Sequence, residues 1–233
     1  MIHPSWEILL TNAYAALDEE YKLFLEEDKE YFPTKAFYFN AFKTLAKQDV
    51  KYILFGQDPY PREQSAGGYA FIDMKVETLF CATGLSKEVN KATSLRNFMK
   101  MALVANKMLS SKDTSQQAIV KLDKSTLINS INELRINFEK NGVLLLNTAL
   151  IFTNKKSSKQ HIKAWRPFMK VLLEGLREQA PKLILLGNDA HDLKKHFDLS
   201  HFESIVLEHP YNTSFINNPN TLKLFAPMRL LER

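Results

Sequence analysis

The order of apolar and amphipathic segments predicts an α/β protein, a three-layer α/β/α sandwich around a central four-stranded parallel sheet. Four short apolar runs indicate buried strands, and they end at Phe55, Leu146, Leu186 and Glu208. Stretches of helical period lie between and around these runs, at residues 6–24, 95–109, 125–139 and 165–178. Strands and helices that alternate in this way build a parallel sheet with helices on both of its faces.

Glycines mark the ends of the predicted strands. The first run, VKYILF, is followed by Gly56; Gly142 precedes the second, VLLL; and Gly187 follows the third, KLILL. Glycine permits tight turns and close backbone approach, so these positions delimit the strands. The region 73–141 is the least regular part of the chain, with Lys, Ser and Thr clusters around short helical pieces, and it suggests insertions over one edge of the sheet.

Length and composition predict a single domain spanning residues 1–233. The chain is 45% apolar, enough for one sizeable core, and its formal charge of +5 with a pI near 9.1 suits a polyanionic partner. Cys81 is the only cysteine, which excludes an intrachain disulfide and a four-cysteine metal site and favours a reducing compartment. No secretory signal or membrane-spanning stretch is evident, so we expect a cytoplasmic protein.

Polar residues follow each predicted strand, at the edge where ligands bind in open parallel sheets. The segments are GQDPYPREQSAGGYAF after the first strand, NTALIF after the second, GNDAH after the third and HPYNTSF after the fourth. Because the carboxyl ends of parallel strands share one edge, we expect Asp58, Asn147 and His209 to converge on one cleft.

These segments resemble the motifs of the main, metal-free family of uracil-DNA glycosylases. Residues 56–60 match the family's GQDPY pentapeptide in full, Phe71 follows at the family's spacing, and GVLLLN at 142–147 reproduces its second motif. His209-Pro210 is similar to the start of the family's HPSPLS loop. The resemblance extends from about Trp6 to Phe225 and is thin between residues 73 and 141. It implies a monomeric enzyme that flips uracil out of DNA and hydrolyses its N-glycosidic bond without a cofactor or metal.

The resemblance implies a role for each motif residue in this chemistry. Bond cleavage leaves a sugar with oxocarbenium character and a uracil anion, so both charges need stabilisation. Asp58 would stabilise the sugar cation and position the attacking water, and His209 would donate a hydrogen bond to uracil O2. Asn147 would pair with O4 and N3–H of uracil and mismatch cytosine.

Further residues would shape the base pocket and hold the DNA. Phe71 would stack on the flipped base, Tyr60 would crowd C5 and exclude thymine, and the Gln57 backbone would contact the uracil carbonyl edge. Contacts to DNA are expected at Ser65, Ser94, Thr213, Ser214 and Phe215. The serines match phosphate contacts. Thr213 occupies the position of the leucine that fills the space left by the flipped base, and Phe215 is an alternative wedge.

One further stretch is similar to the family but differs from it in residue spacing. In KSSKQHIKAW, His161 and Trp165 stand one residue closer together than in the family, and a solvated turn that leads into a helix explains them equally well. The resemblance also leaves open binding of an inhibitor protein that mimics DNA.

Two alternatives remain open at this point. The altered wedge positions favour an inert glycosylase homologue that only binds DNA, although retention of Asp58, Asn147, Phe71 and His209 opposes it. The NDAHD segment at 188–192, with His209, could instead hold a divalent ion in a metal-dependent hydrolase. Its continuation as HDLKKHF is more typical of a helix start, and insensitivity to a chelator would exclude the metal.

Overall fold

The computed structural model describes residues 1–27, 30–187 and 189–233, and it leaves the side chains of 189–191 undescribed. The chain divides into two compact units. Unit 1 comprises Met1–Asp73 and Gly142–Ile205, and unit 2 comprises Met74–Asn141 and Val206–Arg233. The single domain that the sequence predicts stays a prediction.

The central sheet has the predicted four parallel strands. The strands are β1 (Tyr52–Gly56), β2 (Phe80–Cys81), β3 (Gly84–Leu85), β4 (Val143–Asn147), β5 (Lys182–Leu186) and β6 (Ser204–Leu207). The sheet has the order β4-β1-β5-β6, and β2 and β3 form a separate antiparallel pair. In the parallel register of β1 and β4, Gly56 lies opposite Asn147. All four apolar runs of the sequence are therefore strands of this sheet, and the α/β fold class is confirmed.

Helices alternate with these strands in the sequence. They are α1 (Glu7–Ala15), α2 (Glu19–Glu27), α3 (Lys87–Lys91), α4 (Thr93–Ala105), α5 (Gln116–Val120), α6 (Ile131–Lys140), α7 (Ser158–Glu174), α8 (Asp189–His196) and α9 (Pro219–Phe225). Short 3-10 helices lie at Pro4–Trp6, Asn40–Phe42, Lys47–Asp49, Thr213–Asn217 and Ala226–Met228. Within the described part of the chain, no helix combines the length and apolar character needed to cross a membrane.

The core of unit 1 lies where α1 and α7 pack beside the sheet. Leu144 and Leu146 of β4 are buried with Leu183 and Leu185 of β5 in one apolar cluster. Trp165 of α7 is fully buried in the same cluster. Burial of such contiguous apolar strands is the main stabilising contribution in an α/β sheet, and it fixes the loops that follow β1 and β4.

The helices differ from the predicted stretches at their ends: α4 ends at Ala105 rather than at 109, and α7 spans Ser158–Glu174 rather than 165–178. In two other helices a capping side chain sets the start. The stretch 6–24 breaks before α2, where Asp18 Oδ1 accepts hydrogen bonds from the N–H groups of Glu20 and Tyr21 at 3.0 and 3.3 Å. The stretch 125–139 starts late, because Ser130 and Glu133 form a capping box at the start of α6.

Unit 2 is built around α4. Phe98 of α4 packs against the rings of Phe138, Phe215 and Phe225, with ring centroids 5.2 to 6.4 Å apart. These rings come from α6, the 3-10 helix at 213–217 and α9. The aromatic cluster thus anchors the chain that follows His209 to the helices of region 73–141.

Candidate active site

Asp58 lies in the loop after β1 and is half-buried. Its Oδ2 accepts a short hydrogen bond from the hydroxyl of Ser158, the first residue of α7. Ser158 is itself 8% exposed. The hydrogen bond joins the loop after β1 to a rigid helix, so it fixes the orientation of the carboxylate.

His161 lies one helical turn beyond Ser158 and is buried. Its Nδ1 is 2.8 Å from the hydroxyl of Tyr21, and its Nε2 is 2.9 Å from Oγ1 of Thr153. Burial lowers the pKa of His161 below its ordinary value of 6.5, while the Asp58 carboxylate acts in the opposite direction. A solvated turn does lead into α7 at residues 154–157, but His161 and Trp165 lie in the helix itself and are both buried.

We expect acid to destabilise the protein through His161. Because its folded pKa lies below 6.5, the unfolded chain takes up the proton first as the pH falls, so the free energy of unfolding decreases from pH 7 to pH 5. His161→Gln removes this proton uptake, and its unfolding free energy should depend less steeply on pH over that range. Urea unfolding at several pH values measures it, with the exposed His201→Gln as a control. Equal pH dependence in His161→Gln and the wild type would contradict this assignment.

Asn147, at the end of β4, is 5% exposed and packs closely over β1. A Cβ atom added at Gly56 would lie 2.4 Å from Asn147 Oδ1 and 3.1 Å from the Cβ of Ala70. Glycine at position 56 is therefore required for the Asn147 amide to hold its place. The backbone conformation at this strand end is one that any residue could adopt. The GQDPY loop therefore begins with a glycine because of the close contact with Asn147, and not because of its backbone.

Backbone and hydroxyl contacts join the loops after β1 and β4. The N–H of Thr148 donates to the carbonyl of Gly56 at 2.9 Å, and its hydroxyl donates to the carbonyl of Gln57 at 2.6 Å. Ala149 N–H donates to the same Gln57 carbonyl at 3.1 Å. Unit 1 thus holds Asp58 and Asn147 on two loops that are hydrogen-bonded to each other.

Tyr60 and Phe71 are linked in the same unit, and both are half-buried. The Tyr60 hydroxyl donates to the Phe71 carbonyl at 3.2 Å. Burial raises the pKa of Tyr60, so it stays a protonated donor. Phe71 has a φ of 69°, a left-handed conformation that costs a bulky residue roughly 1–3 kcal/mol. Such strain is common where a side chain is aimed for function, and it is consistent with the predicted aromatic stacking role.

Ser65 does not offer its hydroxyl to solvent. The residue is 1% exposed, and its Oγ is buried without a hydrogen-bond partner among the described residues. The predicted phosphate contact at Ser65 therefore does not fit this conformation. The Ser65 N–H donates to the Arg62 carbonyl at 3.1 Å, within the loop after β1.

His209 follows β6 in unit 2 and is exposed. Its Nδ1 accepts a hydrogen bond from the Tyr211 N–H at 3.1 Å, so the neutral ring carries its proton on Nε2. Partial desolvation lowers its pKa below the ordinary 6.5. The imidazole is thus a neutral donor through Nε2, as the predicted hydrogen bond to a uracil carbonyl requires.

Asn97 of α4 positions this loop. Its Nδ2 donates to the carbonyls of Pro210 and Tyr211 at 2.8 and 3.2 Å, and the residue is 2% exposed. Asn97 and Ser158 are both missing from the predicted site. The similarity of the KSSKQHIKAW stretch to the family could have pointed to Ser158 as a site residue. Nothing in the sequence distinguishes Asn97 from any other asparagine in a helix.

The remaining predicted DNA contacts have different environments. Ser94, at the start of α4, is half-buried, and Thr213 is exposed. Ser214 donates its hydroxyl to the Glu208 carboxylate at 2.6 Å. Phe215 is 0% exposed and packs on Phe98, so it cannot enter a duplex in this conformation.

The metal alternative depends partly on residues outside the described set. Asn188 and the side chains of Asp189 and His191 lie there. Among the residues that the structure does describe, no three His, Cys, Asp or Glu side chains are arranged to hold a metal ion. Asp58 and Asn147 belong to unit 1 and His209 to unit 2, and the convergence of all three on one cleft stays a prediction.

The four-stranded parallel sheet, with polar residues on the loops after β1 and β4, defines an α/β protein with its candidate site at the carboxyl ends of the strands. Residues 42–229 match the family model of the Uracil DNA glycosylase superfamily. The chain belongs to this family, which confirms the resemblance found in the sequence.

Relatives and solved structures agree with this assignment. The chain is 28% identical over 186 residues to a uracil-DNA glycosylase of Francisella philomiragia, covering 78% of this chain and 71% of that protein. It is 26% identical to the uracil-DNA glycosylase of Chromobacterium violaceum, covering 90% and 78%. A crystal structure of UNG from Nitratifractor salsuginis superposes with a TM-score of 0.98 at 49% identity, covering 100% of this chain and 93% of that one. Mimivirus uracil-DNA glycosylase, at 19% identity, a TM-score of 0.59 and coverage of 90% and 69%, shares the fold.

Proposed function

We propose that this protein is a monofunctional uracil-DNA glycosylase that hydrolyses the N-glycosidic bond of deoxyuridine in DNA and releases free uracil. The observation that carries the proposal is the Asp58 carboxylate, fixed by Ser158 on a loop hydrogen-bonded to that of Asn147. A carboxylate held in one orientation stabilises positive charge on the sugar as the bond breaks, and it orients the water that attacks the anomeric carbon. The product left in the DNA is an abasic site for base-excision repair.

The other residues complete the reaction. His209, protonated on Nε2, donates to the O2 of the departing uracil and stabilises its negative charge. Phe71 supplies a stacking surface and Tyr60 closes the pocket at C5 against a thymine methyl group. Asn147 recognises the Watson–Crick edge of the base, and the Gln57 backbone lies at its carbonyl edge. No step requires a lysine that forms a Schiff base with the sugar.

Release of free uracil tests the proposal directly. Single-stranded and duplex oligonucleotides with U:A or U:G are incubated with the protein in EDTA, and matched oligonucleotides with cytosine or thymine serve as controls. Uracil release in EDTA supports the metal-free glycosylase. Binding of DNA without release would support an inert homologue, and release abolished by EDTA would support a metal-dependent hydrolase.

We also propose that the protein acts as a monomer on uracil-containing DNA. A crystal structure of a mimivirus UNG variant is in complex with UGI, and that chain has 18% identity to this one. Whether a DNA-mimic inhibitor binds here depends on the loop after His209, whose residues 211–213 are exposed. Inhibition of uracil release by such a protein, measured by titration, tests this partner.

Tyr211 is the wedge that the structure favours in place of Thr213 or Phe215. Its side chain is 66% exposed, and Asn97 holds its backbone in place. We expect Tyr211→Ala to lower uracil release from duplex U:A about 10-fold and to change release from single strands much less, because only a duplex must be held open. Tyr211→Phe keeps the ring and should behave as the wild type. An equal loss on both substrates would contradict the wedge role.

A further inference from the structure

The exposed face of α7 carries cations and no carboxylate. Between residues 148 and 173 the chain has no Asp or Glu, and its cations are Lys155, Lys156, Lys159, Lys163, Arg166 and Lys170. Unit 1 as a whole carries 17 Lys and Arg residues against 18 Asp and Glu, so its cations are segregated in this segment rather than present in excess. The four that lie within α7 form what we call the α7 stripe: Lys159, Lys163, Arg166 and Lys170.

The α7 stripe lies opposite the buried face of the helix. Its members follow one another at intervals of four, three and four residues, and at 3.6 residues per turn such positions form one row along a helix. The buried face on the other side contains His161, Trp165, Phe168 and Leu172. The three lysines of the stripe are exposed and Arg166 is half-buried. From its first to its last member the row is about 16 Å long, at a rise of about 1.5 Å per residue.

The charges of the stripe oppose the stability of α7. Its members lie four residues apart at two places, and like charges at that spacing destabilise a helix. Lys159 lies in the first turn, where the helix dipole favours an acidic residue, and that turn contains none. Among the described residues, none of the lysines between 155 and 170 forms an ion pair. A bound polyanion would offset this repulsion.

Helix α8 faces the stripe at Arg166 and does not neutralise it. Arg166 Nη2 is 2.7 Å from Nε2 of His196, and Asp192 lines the same small cavity. The carboxylate of Asp192 forms no ion pair within the part of the chain that the structure describes. The buried Nε of Arg166 also has no hydrogen-bond partner there. The three lysines therefore set the potential of the exposed face.

One end of the stripe adjoins the candidate active site. Lys159 directly follows Ser158, whose hydroxyl donates to the Asp58 carboxylate. Both partners of this hydrogen bond and the whole of α7 belong to unit 1. A DNA strand whose sugar lies at Asp58 therefore passes the first lysine of the stripe as it leaves the site.

The chemistry of the stripe fits a nucleic acid better than a protein partner. Protein–protein interfaces are depleted in Lys, and their binding energy comes mainly from aromatic and Arg anchors. Among the exposed large apolar side chains of the described chain, none belongs to α7. Lysine is a flexible point charge that suits phosphate contacts without base recognition. A duplex strand presents one phosphate per roughly 3.4 Å of helix axis, so the stripe is long enough to face about five of them.

We propose that the α7 stripe binds the sugar–phosphate backbone of the DNA flank on one side of the reacting nucleotide. The proposal rests on the proposed function and extends the DNA-binding surface along the side of unit 1. Because α7 leads away from Asp58 in a single direction, the stripe holds the flank on one side of the base only. Long DNA therefore binds more tightly than DNA that spans the active site alone.

Salt-dependent binding measures the charge contribution. The double variant Lys163→Gln/Lys170→Gln removes the two lysines that lie furthest along α7 from Ser158. It should bind a long, uracil-free single strand about 10-fold more weakly at low salt, with the slope of log K against log salt reduced by about 1.4, or about 0.7 for each lost phosphate contact. The charge-preserving Lys163→Arg/Lys170→Arg should keep both values.

A second pair of exposed lysines provides the matched control. Lys51 directly precedes β1, and Lys140 ends α6 shortly before β4, so both lie at the amino ends of strands whose carboxyl ends carry the site. Lys51→Gln/Lys140→Gln removes the same charge from the protein and should leave the affinity and the slope near their wild-type values. A loss in the stripe variant no larger than in this control would overturn the proposal.

One-sided flanks test the direction of the stripe. Uracil oligonucleotides carry a flank of about 15 nucleotides on only the 5′ or only the 3′ side, and in the wild type one of the two should have kcat/KM about 10-fold above that of a short oligonucleotide. The variant Lys163→Gln/Lys170→Gln should lose this gain. An equal effect on both flanks would show general charge attraction and would overturn the proposal.

Thermal unfolding shows that the variants fold. Lys163→Gln/Lys170→Gln removes like charges from one helix, so its unfolding temperature should equal or exceed that of the wild type. A lower unfolding temperature would show that the lysines stabilise α7, and it would overturn the electrostatic argument for a bound polyanion.

The binding and release measurements separate this proposal from the function itself. If the wild type releases no uracil while the stripe variant still loses its salt slope, the proposed function fails and the stripe stands. If the wild type releases uracil and the stripe variant has the wild-type slope, the stripe fails and the function stands.

Discussion

Asp58→Asn is expected to lower the single-turnover rate of uracil release roughly 10³-fold, which corresponds to about 4 kcal/mol of lost transition-state stabilisation. The substitution keeps size and shape, and the Asn oxygen can still accept the hydrogen bond that Ser158 donates. It removes only the negative charge opposite the developing sugar cation. Single-turnover release from a single-stranded uracil oligonucleotide measures the effect, because it is free of product release.

Ser158 provides the control that separates charge from position. Ser158→Ala leaves the carboxylate in place without its hydrogen bond, so we expect a smaller loss, about 10-fold, in kcat with KM little changed. Ser158→Thr retains the hydroxyl and should recover most of the rate. Unchanged thermal unfolding of the variants establishes that they fold. An Asp58→Asn protein with the wild-type rate would show that the carboxylate is not catalytic.

The sheet and its loops could be predicted from the sequence because buried parallel strands are short, contiguous apolar runs. Each of the four runs became a strand, and the polar residues after β1 and β4 lie on two loops that are hydrogen-bonded to each other. Helix ends were less predictable, because they depend on single capping side chains such as Asp18 and Ser130. Helix propensity and apolar periodicity do not reveal a single hydrogen bond of this kind.

The supporting residues could not be predicted, because their contacts are distant in sequence. Ser158 reaches Asp58 across 100 positions, and Asn97 holds Pro210 across 113. The exposure of individual aromatic side chains could not be predicted from the sequence either. The sequence offers Phe215 as an alternative wedge to Thr213 and does not single out Tyr211, yet Phe215 is fully buried against Phe98 and Tyr211 is exposed.

Asn147→Asp is expected to have the second large effect, on the choice of the base that is released rather than on the rate of release alone. Uracil presents the O4 acceptor beside the N3–H donor. The Asn147 amide can pair with both, because Nδ2 donates to O4 and Oδ1 accepts from N3–H. A carboxylate has no donor, so it faces O4 with a second acceptor. We expect uracil release to fall and the ratio of uracil to cytosine release to decrease by roughly 10²-fold, the scale of a buried hydrogen-bond mismatch.

The packing of Asn147 lets the substitution change the chemistry of the side chain while its shape is kept. Its side chain fills the space above Gly56, where even one added methyl group would lie 2.4 Å from Oδ1, and Asp has the same shape. The amide is therefore replaced without repacking the strand ends. Release from paired uracil and cytosine oligonucleotides gives the ratio, and Asn147→Ala gives the loss of both hydrogen bonds without a new acceptor.

Comparison of the wild type with Asn147→Ala and Asn147→Asp shows which groups recognise the base. If Asn147 reads it, Asn147→Ala loses uracil release without gaining cytosine release, whereas Asn147→Asp gains cytosine relative to uracil, because its carboxylate accepts from the exocyclic amine of cytosine. If backbone groups of the loop after β1 read the base, both variants should keep the wild-type ratio. A ratio that stays constant in Asn147→Asp would therefore remove Asn147 from the recognition site and assign discrimination to the GQDPY loop.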